Sequence, residues 1–597
     1  MALALVVIVG AVVAAADWPA LHSTAVFQDD DEYLLGNGLV LNPSLESARI
    51  FFSEVLNPST VRGYYQPLTM VSLMLDCAMG GSPDNLLPFR RTNLILHVAN
   101  AALVTVLLLL LFTKPVPAAL AGLLYGLHPL TVDSVVWVTE RKTLLAAFLS
   151  MVSLVLYVLH TRRGTRTTLV ASLASYGLAL LAKPIALMLP FLLLILDWWP
   201  LQRFNRRAMA EKVPFLLLTV MGALVTVLSQ SQAAGVTPVL VQTPLIVSYG
   251  NLFYLSHAIW PAGLSSFYPV PDPLSWSNPT LLWSLIGSLV LVGLLALSLR
   301  RTRALVVGWL FFLIAVLPTL GVLSITQVIV ANRYAYLPLV GLVLPVAALL
   351  AHLVGPSDGG SWRARVALVT GVVLVVAVGE LVVTRVQLGY WSSTESHYRH
   401  MVSVSPNVAL LHNNLGMELA RLGRREEAMD CYRNAIALDP GFVQAYNNLA
   451  VGHYRLGQRE AAAAMWQRAL EVPHDPTVRY AQVHYNLGWV MFERGDYQGA
   501  ASALKQAVDL EPRWLLARRK LADALVHLGD AAGALEHLQY VLQFERDPDL
   551  HCNVGALLQS LGRRDEAARE FQEALEIDPG HARAQQLIRS LSDSPSG

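Results

Sequence analysis

Long apolar runs joined by short polar loops fill the chain up to residue 388. A helix needs about 20 mostly apolar residues to cross a bilayer, and the runs predict about eleven spans. They cover residues 1–16, 92–112, 115–127, 143–160, 168–182, 184–199, 213–229, 279–299, 304–318, 335–354 and 366–386. A further apolar run, rich in aromatic residues, predicts an interfacial or re-entrant helix at 244–260. The pattern therefore predicts an all-α chain whose residues 1–388 form a polytopic membrane domain.

Beyond residue 388 the apolar positions recur with a longer period. An aliphatic residue followed by Gly or Ala stands at Leu415, Leu449, Leu487, Leu521 and Val554, with spacings of 34, 38, 34 and 33 residues. This is the period of the tetratricopeptide repeat (TPR), a pair of antiparallel helices. The pattern predicts a linker at 389–408, repeats at 409–442, 443–476, 481–514, 515–547 and 548–581, and a tail at 582–597. We expect the repeats to stack into an α-solenoid with a concave binding surface.

Asparagines recur on the first helix of these repeats, at Asn414, Asn448 and Asn486. One interpretation is that they line the concave groove and bind the backbone of an extended acceptor polypeptide. The other is that they satisfy polar contacts between neighbouring repeats. The sequence does not decide between the two.

Composition narrows the class of protein. The chain is 54% hydrophobic and 14% charged, against about 25% charged residues in ordinary soluble domains, which argues against a wholly soluble protein. Charged residues fill roughly one position in ten up to residue 388 and more than one in five beyond it. The net charge of +1 and the absence of a basic patch give no indication of nucleic-acid binding. Three widely spaced cysteines form neither a disulfide framework nor a zinc module.

Basic residues predict the orientation in the membrane, because cytoplasmic loops are enriched in Lys and Arg. With eleven spans and a cytoplasmic amino terminus, the basic clusters at 162–166, 203–212, 300–303 and 363–365 all fall inside. The repeats then face the periplasm of a prokaryotic inner membrane, or the ER lumen in a eukaryote. The run at 1–16 also suits a cleaved signal peptide, although it lacks the basic amino-terminal region usual in such peptides.

The first outer loop carries an acidic run, Asp29, Asp30, Asp31 and Glu32. Neighbouring carboxylates repel, which raises a pKa towards the range of a general base. A second interpretation is that the carboxylate oxygens bind a divalent cation. A third is that the run is only a solvated acidic loop without a function. The position of this run, at the membrane surface, favours a site that meets the head group of a lipid-linked substrate.

Four cations lie on the same predicted side, at Arg141, Lys142, Lys183 and Arg333. Cationic donors stabilise the charge that develops on a phosphoryl leaving group. The alternative for each single cation is an anchor whose charged end reaches the membrane interface. Tyr65, His128, Asp31 and Glu32 are candidate contacts on the acceptor side of the same site.

Several motifs occur in a characteristic order. They are FQDDDEYLLGN, YYQPLTMVSLMLD, RRTNLILHVAN, LHPLTVDSVVWVTERK, LLAKPIALMLPFLLLILDWWP, IWPAGLSSFYP and ANRYAYLPLVGL. With the repeats behind them, the series resembles the transmembrane and TPR-containing O-mannosyltransferases, of which this chain looks like a bacterial relative. The resemblance implies the GT-C glycosyltransferase fold. It departs from the family pattern at Asp133, where Glu is expected, at Asn332, where Asp is expected, and at Gln66, where His is common.

The resemblance also implies an activity. It is the inverting transfer of a sugar, mannose-like, from a polyprenyl or dolichyl phosphate carrier to Ser or Thr hydroxyls of proteins, without a metal or other cofactor. Asp29 and Asp30 would act as base or acceptor-binding groups, and Arg141, Lys142 and Arg333 would lie near the carrier phosphate. The alternative is a catalytically silent, membrane-anchored TPR scaffold for envelope or secreted proteins. A transporter fits less well, because the charges lie at one surface and no symmetry relates two halves.

Overall fold

The computed structural model describes residues 1–597 except 28, 56–62, 231–241, 321–327, 355–360, 473–479 and 594–597. The described residues are overwhelmingly helical, and their one β-bridge is an isolated pair, Ser82 with Asn85. The all-α prediction is therefore confirmed. The chain divides into two compact units, Met1–Pro406 and Asn407–Gly597.

The first unit contains seventeen α-helices within the described residues. They are α1 Ala2–Asp17, α2 Gly38–Leu41, α3 Leu45–Ser53, α4 Pro67–Ala78, α5 Leu87–Phe112, α6 Pro115–Leu127, α7 Val132–Val136, α8 Arg141–Arg163, α9 Arg166–Ala182, α10 Leu189–Trp198, α11 Arg206–Gln230, α12 Thr243–Ile259, α13 Pro279–Ser298, α14 Ala304–Val316, α15 Leu339–Leu353, α16 Ser361–Tyr390 and α17 Thr394–Val404. Short 3₁₀ turns connect several of them, and one π-helical turn spans Asp31–Leu35.

Within the described residues, six helical segments are long and apolar enough to cross a membrane. They are Ala2–His22, Leu87–Phe112, Val138–Arg163, Arg206–Ser229, Pro279–Ser298 and Trp362–Tyr390. A seventh results if Pro115–Leu127 and Pro129–Val136, bent by 52° against each other, count as one span. The protein is thus an integral membrane protein. The other four predicted spans coincide with apolar helices of 10–17 residues, and the count of eleven stays a prediction.

Two of the apolar helices, α6 and α9, end two residues before a proline. Lys183 and His128 each precede a proline and adopt extended backbone, with ψ of 133° and 127°. The residue before proline disfavours the helical conformation, so both helices must stop there. These interruptions place Lys183 and the segment that follows His128 at helix ends, where polar groups can converge.

Small residues allow a close helix crossing between α14 and α15. A Cβ added to Gly308 would lie 2.6 Å from the carbonyl oxygen of Gly341, and one added to Gly341 would lie 2.6 Å from the carbonyl oxygen of Gly308. Helices α14 and α15 therefore approach backbone to backbone, as glycines permit in membrane proteins. This crossing anchors the helix that follows Arg333.

The segment 389–408, predicted as a linker, is mostly helical in the structure and belongs almost entirely to the first unit. Helix α17 occupies most of it, and the first unit extends to Pro406. The Ser393 side chain caps this helix by accepting a hydrogen bond from the backbone N–H of Ser396, 3.1 Å away. Trp391, His397 and Tyr398 are buried, so the segment gains hydrophobic stabilisation that a linker would lack.

In its described part, the second unit contains five helix pairs and a final helix. Its helices are α18 Ala409–Arg421, α19 Arg425–Leu438, α20 Val443–Arg455, α21 Arg459–Glu471, α22 Tyr480–Glu493, α23 Tyr497–Leu510, α24 Leu515–His527, α25 Ala531–Leu542, α26 Pro548–Ser560, α27 Arg564–Ile577 and α28 Ala582–Asp593. The predicted spacing is longest, at 38 residues, between the second and third repeats. The segment 473–479, which joins these two repeats, lies outside the described residues.

Gly555 shows why small residues recur in the repeats. A Cβ at this position would lie 2.3 Å from Cε1 of Phe571 on the paired helix. Since over-packing a tight core costs about 1–3 kcal/mol, we expect Gly555→Ala to lower the free energy of unfolding of this repeat by that amount. Hydrogen exchange of the amides of α27 in the full-length protein measures the change. Ser560→Ala, an exposed substitution on the same helix, is the control, and equal exchange in both variants would contradict the prediction.

Candidate active site

Asp29 and Asp30 lie in different environments. The Asp29 side chain is 42% exposed, and its Oδ2 is 2.8 Å from Nζ of Lys142. The Asp30 side chain is buried; its Oδ2 accepts a hydrogen bond from the backbone N–H of Phe27 at 2.9 Å, and its Oδ1 accepts one from Thr139 at 3.2 Å. Asp29 is therefore at the surface of the site, whereas Asp30 joins the two chain segments that form it.

Three cations surround one buried carboxylate next to Asp29. The Glu140 carboxylate lies 3.8 Å from Nζ of Lys142, 3.4 Å from Nζ of Lys183 and 3.5 Å from Nε of Arg333. Thr143 donates its hydroxyl hydrogen to Glu140 and accepts a hydrogen bond from Lys183 at 2.7 Å. Together with Asp29, three cations face two carboxylates, so this cluster carries one net positive charge.

Aromatic rings enclose the cations. Nζ of Lys142 lies 4.4 Å from the ring centre of Tyr33, and the Arg333 guanidinium lies 4.9 Å from the rings of both Trp137 and Tyr334. Aromatic faces attract cations and exclude water, and charges interact more strongly where water is excluded. The cluster is thus built to bind an anion more tightly than surface lysines would.

The two acidic side chains also differ in their pKa. Burial opposes ionisation of Asp29, but the charge and hydrogen bond of Lys142 bring its pKa below the ordinary value. Burial raises the pKa of Asp30 to about 7, against the opposing hydrogen bonds from Phe27 and Thr139. Asp29 is therefore ionised throughout the physiological range.

Arg141 does not join the cation cluster. It is buried and makes four hydrogen bonds, to Asn93 Oδ1 at 2.6 Å and, each at 2.7 Å, to Ser72 Oγ, Asp76 Oδ2 and the Phe89 carbonyl oxygen. Successive residues of a helix point in different directions, so Lys142 faces Asp29 while Arg141 faces α4 and α5. Arg141 fixes the start of α8, which carries Lys142.

The predicted acceptor-side residues do not form one group. Asp31 and Glu32 are exposed in the turn after Asp30, and the Tyr65 hydroxyl donates to the Phe52 carbonyl oxygen at 2.9 Å. His128 is buried; its Nδ1 accepts from the Leu130 N–H at 3.2 Å, which leaves Nε2 to donate to the Ala258 carbonyl oxygen at 3.0 Å. Nδ1 of His128 thus stabilises the turn after α6, and Nε2 connects this turn to α12.

Glu140 is the central residue that the predicted set lacks. Its position directly before Arg141 and Lys142, at the start of a predicted span, was the available signal, since a carboxylate buried at a membrane edge needs cationic partners. Two residues that depart from the family pattern contact each other: Asn332 Nδ2 donates to Asp133 Oδ2 at 3.2 Å. The third, Gln66, accepts from the Tyr33 hydroxyl at 3.3 Å.

In the part of the chain that the structure describes, no group of three or more His, Cys, Asp or Glu side chains is placed to hold a metal ion. The counter-charge of Asp29 is instead the Lys142 ammonium.

The repeat asparagines bond to one another. Asn448 Nδ2 donates to Asn413 Oδ1 at 2.9 Å, and Asn486 Nδ2 donates to Asn447 Oδ1 at 3.0 Å. Each bond joins two successive repeats. The Asn414 side chain accepts a longer bond, 3.3 Å, from Asn413. Contacts between repeats, one of the two sequence interpretations, are therefore present, and binding of a peptide by these residues stays a prediction.

Fold and site together define an integral membrane protein with a charged site beside its apolar helices and a carboxy-terminal TPR array. Family models described as tetratricopeptide repeat or TPR repeat match residues 416–457, 442–511, 491–559 and 548–581. The predicted TPR architecture is thereby confirmed. Among solved structures, the chain is similar to YrrB, a TPR protein, with 21% identity and a TM-score of 0.29, over 32% of this chain and 97% of that one.

Similar curated proteins are named protein O-mannosyl-transferases. Human TMTC4 is 23% identical over 448 residues, covering 64% of this chain and 58% of the relative. Tmtc1 of Drosophila melanogaster is 34% identical over 131 residues, covering 22% of this chain and 15% of the relative. The chain thus matches less than two thirds of the length of either. The resemblance that the motifs indicated is confirmed over about 65% of the chain.

Proposed function

We propose that this protein is a membrane glycosyltransferase that moves a sugar from a polyprenyl or dolichyl phosphate carrier to Ser or Thr hydroxyls of proteins. The observation that carries the proposal is the cluster of Lys142, Lys183 and Arg333 around Glu140, with Asp29 at its exposed edge. An anion site directly beside a partly exposed carboxylate is what such a transfer needs. The names of the similar proteins support the same reaction class.

In this proposal Asp29 is the base. Its Oδ2 is occupied by Lys142, and Oδ1 takes the proton from the acceptor hydroxyl. The hydroxyl oxygen then attacks the anomeric carbon from the side opposite the phosphate, and the bond between that carbon and the phosphate oxygen breaks. The product is a glycoside of inverted configuration. The bonding electrons stay on the carrier phosphate, where the cations stabilise the added charge.

The charge of the cluster favours a carrier with one phosphate. A sugar phosphodiester carries a single negative charge, equal in size to the net charge of the cluster. During transfer the carrier becomes a monoester with a second negative charge, so the attraction to Lys142, Lys183 and Arg333 increases as the reaction proceeds. Interactions that are stronger in the transition state than in the ground state are the ones that accelerate a reaction.

The TPR array is proposed to dock the acceptor polypeptide. Holding a substrate near the site by a second contact raises its effective concentration, to the millimolar range for short connections. We propose that the repeats face the periplasm, or the ER lumen in a eukaryote, on the same side as Asp29. No cofactor beyond the lipid-linked sugar enters this proposal.

The pH dependence of transfer identifies the base. Since the pKa of Asp29 is lowered, we expect the rate to stay level from neutral pH down to about pH 5, above the ordinary Asp pKa of about 3.9. A base must be deprotonated, so with Asp30 in this role the rate would instead fall about tenfold per pH unit below its pKa of about 7. Initial rates of sugar transfer across this range decide between the two.

The direct test uses the purified full-length protein in lipid, polyprenyl phosphate mannose and peptides that contain Ser and Thr. We expect an O-linked mannose on the peptide, with the anomeric configuration inverted according to NMR. A parallel comparison of envelope proteins from wild-type and deletion strains by mass spectrometry identifies natural acceptors. If envelope glycosylation is equal in the two strains and the purified protein transfers no sugar, the scaffold alternative replaces this proposal.

A further inference from the structure

The chain segment before the acidic loop is paired with the segment that precedes the repeats. The Thr24 N–H donates to the Ser392 carbonyl oxygen at 3.0 Å, and the Val26 N–H donates to Thr394 Oγ1 at 3.0 Å. The Ser23 hydroxyl donates to the Trp391 carbonyl oxygen. Every pair is separated by 368 residues, so the two segments run parallel in one register.

Phe27 lies at the end of this pairing, inside an aromatic cluster. Its ring centre is 4.8 Å from that of Trp137, 5.3 Å from that of His397 and 5.6 Å from that of Tyr398. The rings of Trp391 and His397 stack at 3.7 Å. All five side chains are buried. Aromatic pairs at these distances add about 0.5–1.5 kcal/mol each beyond their buried area, so the position of Phe27 is firmly fixed.

Phe27 in turn fixes the acidic loop. Its backbone N–H binds Oδ2 of Asp30, while Oδ1 of Asp30 binds the N–H of Thr139, next to Glu140. A second connection leads from the same segment to the site, because Trp391 Nε1 donates to Asp133 Oδ1 at 3.1 Å and Asp133 binds Asn332, next to Arg333. The segment 391–398 thus contacts Phe27, two residues before Asp29, and is linked through Asp133 to Asn332, the neighbour of Arg333.

His397 contributes by its shape. It is 2% exposed, and neither ring nitrogen has a hydrogen-bond partner. A neutral imidazole that only stacks can be replaced by another flat ring, whereas a proton-transfer role would need a nitrogen. This property separates a positioning role from a catalytic one.

We propose that Trp391 and His397 are positioning residues, which hold Asp29 opposite Lys142 by fixing Phe27. The expected effect on kcat rests on the proposed function, whereas the expected effect on the position of the acidic loop does not. Only four residues, 405–408, separate the end of helix α17, which carries His397, from the first repeat helix at Ala409. The segment that leads into the docking array is therefore also the support of the catalytic loop.

Hydrogen exchange of the full-length protein in lipid tests whether Trp391 and His397 fix the acidic loop. His397→Ala removes one wall of the Phe27 cluster, and we expect the amides of Thr24, Val26, Phe27 and Asp30 to exchange about tenfold faster, equivalent to about 1.4 kcal/mol. His397→Phe retains the flat ring and should exchange within about twofold of wild type. Trp391→Ala should act in the same direction as His397→Ala. Unchanged exchange in both alanine variants overturns the proposal.

His400→Ala is the matched control. It is the same substitution on the same helix, and its ring stacks on Tyr390 at 3.6 Å, away from Phe27. Exchange of the acidic loop should stay at the wild-type rate. If His400→Ala accelerates it as much as His397→Ala does, the effect is a general loosening of α17, and the specific role of His397 is refuted.

Transfer kinetics complete the test. With Asp29 displaced by about 1 Å, we expect His397→Ala to lower kcat about 100-fold, while the moles of polyprenyl phosphate mannose bound per mole of protein stay unchanged. Unchanged binding shows that the variant is folded. His397→Phe should restore kcat. If the wild type transfers no sugar but the exchange results are as expected, the proposed function fails and the positioning role remains. Faster exchange without loss of kcat in a working enzyme refutes the positioning role.

Discussion

Replacing Asp29 by asparagine is expected to lower the rate of sugar transfer by about 10²–10⁴, the usual contribution of a general base. The amide cannot accept the proton of the acceptor hydroxyl, and no other ionised carboxylate of the cluster is exposed, since Glu140 is buried among its three cations. Asp29→Asn also leaves Lys142 with Glu140 as a partner, so the variant should fold. Mannose incorporation into a peptide by the full-length protein in lipid measures the effect.

The neighbouring acidic residue provides the control for this experiment. Asp31 stands two positions along the same loop and is exposed, so Asp31→Asn removes the same charge without touching the cluster. We expect its rate to stay within about twofold of wild type, because exposed substitutions rarely have larger effects. Equal rates for wild type and Asp29→Asn would refute Asp29 as the base, and a similar loss in both variants would indicate a general electrostatic effect of the loop.

The fold was predictable because its signals are local. Each apolar run is long enough to identify a helix on its own, and the 34-residue period of Leu415, Leu449 and their successors identifies the repeats without knowledge of tertiary contacts. The helix breaks at His128 and Lys183 follow from the prolines behind them. The linker at 389–408 was harder, because its helix is held by burial of Trp391 and His397 against Phe27, more than 360 residues away.

The site was predictable only in part, for a related reason. Residue type and predicted side of the membrane bring Asp29, Lys142, Lys183 and Arg333 into one region, and the structure does bring them together. Arg141 and Lys142 are adjacent and chemically alike, yet only the direction of each side chain around α8 decides which one meets the site. The different roles of Asp29 and Asp30 likewise depend on the backbone N–H groups of Phe27 and Thr139, which no sequence pattern reveals.

Arg333 gives the second large expected effect. Its Nε pairs with Glu140, and the hydrogen bond from its Nη1 to the Ser266 carbonyl oxygen is long at 3.5 Å. The guanidinium therefore retains N–H groups with which to bind two oxygens of a phosphate at once. We expect Arg333→Gln to lower kcat/KM for the lipid-linked donor by about 10²–10³, the effect of losing one donor to a developing anion. Glu140 keeps Lys142 and Lys183 as partners, so the carboxylate does not become an isolated buried charge.

A lysine substitution separates charge from geometry at this position. Arg333→Lys retains the positive charge but lacks the planar pair of donors, and its kcat/KM should lie between those of wild type and Arg333→Gln. Arg91→Gln removes an exposed arginine and should leave donor kinetics unchanged. Donor titrations with the three variants in lipid give the comparison. If Arg333→Gln matches wild type, the carrier phosphate does not bind at this cluster; if Arg333→Lys matches wild type while Arg333→Gln does not, the cluster acts by charge alone.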